Sequence, residues 1–225
     1  MIPKIIHCFW EGKKTKLAEK CLASWRRFCP GWEIREWGLK DLAEVAARSP
    51  FLAEAIRLKR WGAVSDYVRM WALARFGGVY FDFDVELLKG IDDLLGEEWF
   101  AEERHRCVGQ QIAPGLGMAL RPGSPIAERM LELYDEQGFD PKADMMTVIV
   151  TNLKASIARS PVAPRIYPPD WFCPIDPQGK LHVTAETRSI HWFAMGWADP
   201  KRKILRWLSW HGLQSLVDLA VRLKR

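Results

Sequence analysis

The stretch RFGGVYFDFDVELL, residues 75–88, decides how the rest of the chain is read. Val79, Tyr80, Phe81, Phe83 and Val85 make an apolar run of the kind found in a strand covered on both faces, yet Asp82 and Asp84 stand inside it. Taken as strand, residues i and i+2 share a face, so the two carboxylates project together, about 7 Å apart along the chain. Parallel carboxylates repel one another and are costly to desolvate. A divalent cation relieves both penalties. Oxygen ligands suit Mg²⁺ or Mn²⁺ rather than a thiolate-seeking metal, and such ions keep coordination positions for substrate phosphates.

Upstream, WGAVSDYVRMWALARFGG (61–78) sets Trp61, Val64, Val68, Trp71 and Ala72 on one helical face, and Gly77 supplies the left-handed residue that commonly ends a helix. From Asp66 to Phe76 that helix rises ~15 Å, and from Gly77 to Asp82 an extended chain returns ~17 Å. If the glycines reverse the chain, Asp66 and Arg69 come level with Asp82, and their spacing of three puts them on one helix face. A carboxylate, a guanidinium and a carboxylate pair are thus expected in one pocket, beyond what a purely structural role requires.

Around this centre the pattern is strand, helix, strand. IPKIIHCFW is an apolar, Ile-rich run; KLAEKCLASWRRF carries Leu17, Cys21, Ser24, Trp25 and Phe28 at helical spacing; WEIREW alternates. LKDLAEVAARS and FLAEAIRLKR read as helices, GMALR as a strand, and SPIAERMLELYDEQ as a helix with Ser124 as N-cap and Pro125 at its first position. Residues 161–178 hold six prolines and read as an ordered loop, and RSIHWFAMGW reads as the last strand. The pattern predicts an α/β domain with one mixed, Rossmann-like sheet flanked by helices, spanning residues 1–199. A basic amphipathic tail follows at 200–225.

Composition narrows the class. Of the 225 residues 48% are hydrophobic and 27% charged, so the chain is globular rather than disordered. The net charge of +5 favours an anionic partner such as a nucleotide, a polyphosphate or an acidic membrane surface. Five cysteines without a CxxC pair fit reduced thiols better than a disulfide framework or a zinc site, and the N-terminus MIPKIIHCFW lacks signal-peptide features. A cytoplasmic location is expected, with the tail, which holds seven Lys/Arg among its apolar residues, able to lie on an anionic bilayer. No nucleic-acid partner is expected.

The segments IPKIIHCFWEG, CLASWRRFCPGWEIREW, AVSDYVRMWALARFGGVYFDFDVELLKGIDDLL and IHWFAMGW together resemble the DxD-containing sugar transferases grouped as glycosyltransferase family 32. The resemblance implies a GT-A fold, a nucleotide-sugar donor carrying UDP or GDP, a Mn²⁺ or Mg²⁺ ion, and a glycan or lipid-linked acceptor in surface polysaccharide synthesis, of the capsule or lipopolysaccharide kind. It implies that Trp10 stacks on the base and that Asp66 and Arg69 hold the donor sugar, with Ser65 and Tyr80 nearby. Asp82 would contact the ribose, the sugar or a metal-bound water, Asp84 and His191 would hold the metal, and Trp197 would contact the diphosphate. The family's second histidine is replaced here by Trp192 and its serine by Gly196. Retention at the anomeric carbon is implied; an inverting reaction would need a separate base, for which Asp170 is the candidate. Two other readings compete: YFDFDV as the loop of an aspartate-nucleophile phosphatase, with Asp82 as nucleophile, and a non-catalytic module that binds sugar or a membrane surface.

Overall fold

The computed structural model of the chain describes residues 1–105 and 109–194. In chain order the elements are β1 (Ile5–Phe9), α1 (Lys16–Phe28), β2 (Glu33–Trp37), α2 (Ala43–Ala46), α3 (Pro50–Arg57), α4 (Trp61–Phe76), β3 (Gly78–Tyr80), β4 (Val85–Leu87), β5 (Trp99–His105), β6 (Gly109–Ile112), β7 (Met118–Leu120), α5 (Pro125–Gln137), α6 (Met145–Arg159), β8 (Arg165–Tyr167), α7 (Pro169–Phe172) and β9 (Ser189–His191). The main sheet runs β2-β1-β3-β7-β5-β6, with β8 also paired to β5. β1, β2 and β3 are parallel, and the direction reverses at β7. The expected mixed α/β sheet flanked by helices is the observed one.

The alternation of side chains along the central strands divides the core in two. Ile6, Cys8, Val79, Phe81 and Trp99 face α1 and the small β4-β9 sheet, whereas Phe9, Tyr80, Phe100 and Met118 face α3, α4, α5 and α6. Trp25 of α1 is fully buried, tilted against Phe81 and Phe83, and its indole N–H donates to the Val85 carbonyl at 2.8 Å. Ser24 on the same helix accepts from the Leu87 amide at 2.9 Å. One helix face therefore both fills the core and fixes the chain that leaves the Asp82–Asp84 segment.

The double glycine has a steric cause. Gly77 (φ +63°) and Gly78 (φ +110°) both occupy backbone conformations that side chains disfavour. A Cβ on Gly77 would sit 2.5 Å from Pro122 Cδ, and one on Gly78 would sit 2.6 Å from the Ile5 carbonyl oxygen. With ψ −172°, Gly77 is not the left-handed helical cap expected but an extended residue of mirror-image hand. His7 closes the same corner. Its Nε2 lies 2.8 Å from the Gly77 carbonyl and its Nδ1 lies 3.1 Å from Trp37 Nε1. A carbonyl can only accept and an indole N–H only donate, so these partners select the neutral Nε2–H tautomer. Burial lowers the His7 pKa to about 4, in keeping with that choice.

Several expectations are corrected. LKDLAEVAARS forms one turn of 3₁₀-helix and the four-residue α2 rather than a continuous helix. In α4 the buried set runs nearly round the helix, from Ala63 to Leu73, while Trp61 and Trp71 are only half-buried. Ser124 stands at the N-cap of α5, yet its hydroxyl makes no capping bond. The proline-rich loop at 161–178 contains β8 and α7, and α6, β5 and β6 were not anticipated. The basic tail at 200–225 and Trp197 lie outside the described residues. No helix among the described residues is long and apolar enough to cross a membrane.

Candidate active site

Asp82 and Asp84 do not lie in a strand. β3 ends at Tyr80, and residues 82–85 form a tight turn closed by a bond from the Val85 amide to the Asp82 carbonyl at 3.0 Å. The turn sits at the carboxyl end of the parallel strands, beside the reversal at β7, which is where open α/β sheets bind ligands. Turning the backbone, rather than extending it, brings the two carboxylates together.

The helix and strand lengths bring Asp66 and Arg69 to Asp82. Arg69 Nη1 lies 3.1 Å from Asp66 Oδ1, and Nη2 lies 3.2 Å from Asp82 Oδ1. Nη2 also lies 3.4 Å from Ser65 Oγ, which is 2.9 Å from Tyr80 Oη. The guanidinium is thus a fork held open between two carboxylates, with its cationic face 5.3 Å from the Tyr80 ring centre. Asp66 and Arg69 are buried. Burial, helped by the negative charge of Asp82, pushes the Asp66 pKa up to about 6 against the pull of Arg69. Burial also raises Asp82, with Asp84 repulsion adding to it and Arg69 opposing it.

His191 arrives from 107 residues further along the chain than Asp84 through strand pairing. β9 runs antiparallel to β4 with Val85 opposite His191, and the Trp192 amide donates to the Asp84 carbonyl at 2.9 Å. His191 Nε2 then lies 3.2 Å from Asp84 Oδ1, and the Ala194 amide donates to Asp84 Oδ2 at 2.6 Å. Burial alone would raise Asp84, but His191 and the Ala194 amide outweigh it and hold the carboxylate ionised below its usual range. Conversely, Asp84 holds His191 well above the ordinary imidazole value despite its burial.

One ligand atom from each of Asp82, Asp84 and His191 lies within 4.8 Å of the others. Two carboxylates and an imidazole, with 28% of the Asp82 side chain still open to solvent, fit a hard divalent ion that keeps positions for substrate. Trp10 is half-buried at the end of β1. Its ring meets Phe83 edge-on at 5.1 Å, and its indole donates to the Gly12 carbonyl at 3.1 Å, so it borders the turn that carries the aspartates. Asp170 pairs with Arg104 at 2.5 Å.

One residue that composition and spacing did not single out is Gly115. Its carbonyl accepts from the Asp82 amide at 2.8 Å, and a Cβ there would stand 2.1 Å from Asp82 Oδ2. Asp82 occupies its position because residue 115 has no side chain.

Comparison with known proteins agrees with this geometry. Residues 15–101 match the family model described as a glycosyltransferase sugar-binding region containing a DXD motif. No curated protein matches the sequence. Among solved structures, a glycosyltransferase involved in the glycosylation of the major capsid of PBCV-1 superposes with a TM-score of 0.54 at 14% identity, covering 89% of this chain and 97% of that one. The PaToxG glycosyltransferase superposes with a TM-score of 0.52 at 15% identity, covering 70% of each chain. These likenesses establish a GT-A-like fold. Together with the matched region they make the chain a transferase with a DXD-type glycosyltransferase domain, in place of the phosphatase and binding-module alternatives.

Proposed function

We propose that the chain is a metal-dependent hexosyltransferase akin to glycosyltransferase family 32, which moves a sugar from a UDP- or GDP-sugar to a glycan or lipid-linked acceptor. The observation that carries this reading is the meeting of two sets of groups at one strand end: the Asp66–Arg69–Asp82 fork and the Asp84–His191 pair. Asp82, Asp84 and His191 would hold Mn²⁺ or Mg²⁺, which supplies positive charge where the departing nucleoside diphosphate becomes more negative.

The protein's own groups then divide the work. Asp84, kept ionised, is the charged ligand. Arg69, fixed from two sides, presents its remaining donors to the sugar hydroxyls without paying to order its side chain at the moment of binding. Asp66, poised near pH 6, accepts a hydroxyl hydrogen when ionised. Ser65 and Tyr80 hold the far side of Arg69, and Trp10 offers its face to the base. Transfer with retention at the anomeric carbon, the donor phosphate helping to deprotonate the acceptor, is the stereochemical course of this reading. Synthesis of a capsular or lipopolysaccharide glycan at the cytoplasmic face of a membrane, with residues 200–225 against anionic lipid and Trp197 at the diphosphate, completes the proposal.

The test is release of nucleotide from a panel of UDP- and GDP-sugars with Mn²⁺, with and without candidate acceptors. Metal-dependent turnover of one donor, lost in Asp84→Asn, is expected. Turnover that is indifferent to chelation or to Asp84→Asn would overturn the assignment.

A further inference from the structure

Behind Asp84 lies a second group of ligand-type side chains that the proposed transfer does not use. Glu103 comes from β5, Cys173 follows the last residue of α7, and His191 ends β9. One ligand atom from each lies within 4.8 Å of the other two. Glu103 is 6% exposed and Cys173 fully buried. Burying a carboxylate is costly unless a cation or several donors compensate it. Among the described residues Glu103 has no salt-bridge partner, and its hydrogen bond is to a neutral group, the Gln111 side-chain amide at 3.2 Å. His191 Nδ1 is also buried and has no hydrogen-bond partner at ordinary distance, while Nε2 faces Asp84 and the Cys173 thiol is near enough to interact with the ring.

We propose that Glu103, Cys173 and His191 form a second cation site, selective for a softer ion of the Zn²⁺ kind. A thiolate, an imidazole and a carboxylate are the donor types that zinc takes, whereas the Asp82 and Asp84 oxygens suit Mn²⁺ or Mg²⁺. A hard donor set of aspartate oxygens and a softer one that includes a thiolate therefore share one imidazole. An ion bound at this site compensates the Glu103 charge and takes His191 Nδ1 as a ligand in place of its proton. The Cys173 S–H and His191 Nδ1–H bonds break as the sulfur–metal and nitrogen–metal bonds form, and both protons pass to solvent. Because His191 is common to both sets, an ion on the thiolate side alters how the imidazole serves the carboxylate side. That coupling rests on the function proposed above; the existence of the second site does not.

Co²⁺, a spectroscopically visible stand-in for Zn²⁺, tests the site directly. The full-length chain, stripped with chelator and kept reduced, is titrated with Co²⁺ while the thiolate-to-cobalt charge-transfer absorption is followed. One equivalent of thiolate-bound cobalt, displaced by Zn²⁺, is expected. Glu103→Gln should weaken it at least tenfold, Cys173→Ser should remove it, and Asp82→Asn/Asp84→Asn should retain it. Near-ultraviolet circular dichroism confirms that each variant is folded, and Glu103→Gln, nearly isosteric, serves if Cys173→Ser does not fold. Absence of a thiolate band, or a band unchanged in both Glu103→Gln and Cys173→Ser, would overturn the proposal and leave the three groups to hydrogen bonding among themselves. The coupling is read separately, as a rise in the Mn²⁺ dissociation constant on adding Zn²⁺ that is absent in Glu103→Gln.

Discussion

Gly115→Ala separates the chemistry of this protein from its stability. The added Cβ would lie 2.1 Å from Asp82 Oδ2 and 3.0 Å from its Cγ, but only 3.6 Å from Arg69 Nη2, which is ordinary contact. The backbone at residue 115 carries no positive φ, so alanine introduces no conformational strain there. The collision falls on the end of one side chain, which has to retreat by roughly 1.3 Å to restore normal van der Waals contact. That displacement exceeds the slack in the 3.2 Å bond between Asp82 and Arg69 and moves the carboxylate relative to Asp84. A misplacement of about 1 Å at a reacting centre costs on the order of 10²-fold in rate, equivalent to about 2.7 kcal/mol of transition-state stabilisation. The assay is kcat/KM for donor hydrolysis, paired with the thermal midpoint of unfolding. A drop of about a hundredfold with the midpoint shifted by only a few degrees is expected. Wild-type turnover in Gly115→Ala would refute the role given to Asp82, and collapse of the fold would refute the claim that the clash is local.

Three further outcomes follow from the packing. Trp25→Ala removes a fully buried indole and its bond to Val85, and should cost about 3–5 kcal/mol in urea unfolding. Gly78→Ala combines a φ of +110° with a 2.6 Å approach to the Ile5 carbonyl and should destabilise by at least about 3 kcal/mol, seen as loss of soluble protein or a lowered urea midpoint. The native state holds His7 neutral with its pKa lowered from 6.5 to about 4, so the unfolded chain binds the extra proton between those values. That contribution to stability is complete above about pH 6.5, declines as pH falls, and is spent near pH 4, a loss of about 3 kcal/mol. Urea titrations across that window should show the slope in the wild type and not in His7→Gln.

The return of Asp66 and Arg69 to the level of Asp82 was legible because it depends only on the rise of a helix and the reach of an extended chain. The turn at residues 82–85 was not, because FDFD alternates as a strand does and nothing local marks where pairing stops. The meeting of His191 with Asp84 depends on β4–β9 register, a contact between distant segments, so composition and spacing leave His191 an ordinary strand histidine; only the family resemblance singled it out. Gly115 is silent for a related reason: the need for glycine lies in what a Cβ would meet. Helix α6 was hidden by Thr147, Val148, Ile149, Val150 and Thr151, which favour strands. Packing overrides that preference, since Ile149, Leu153 and Ser156 are buried at helical spacing and Asn152 pairs with Gln137 of α5 at 3.0 Å.

The most direct test of the central claim is calorimetric binding of UDP and GDP, each with and without Mn²⁺, to the wild type and to Asp84→Asn. The account predicts that one nucleotide binds the wild type only when Mn²⁺ is present and that Asp84→Asn loses that binding while remaining folded. Equal affinity without the metal, or undiminished Mn²⁺-dependent binding by Asp84→Asn, would contradict the claim that this turn holds a metal–diphosphate complex.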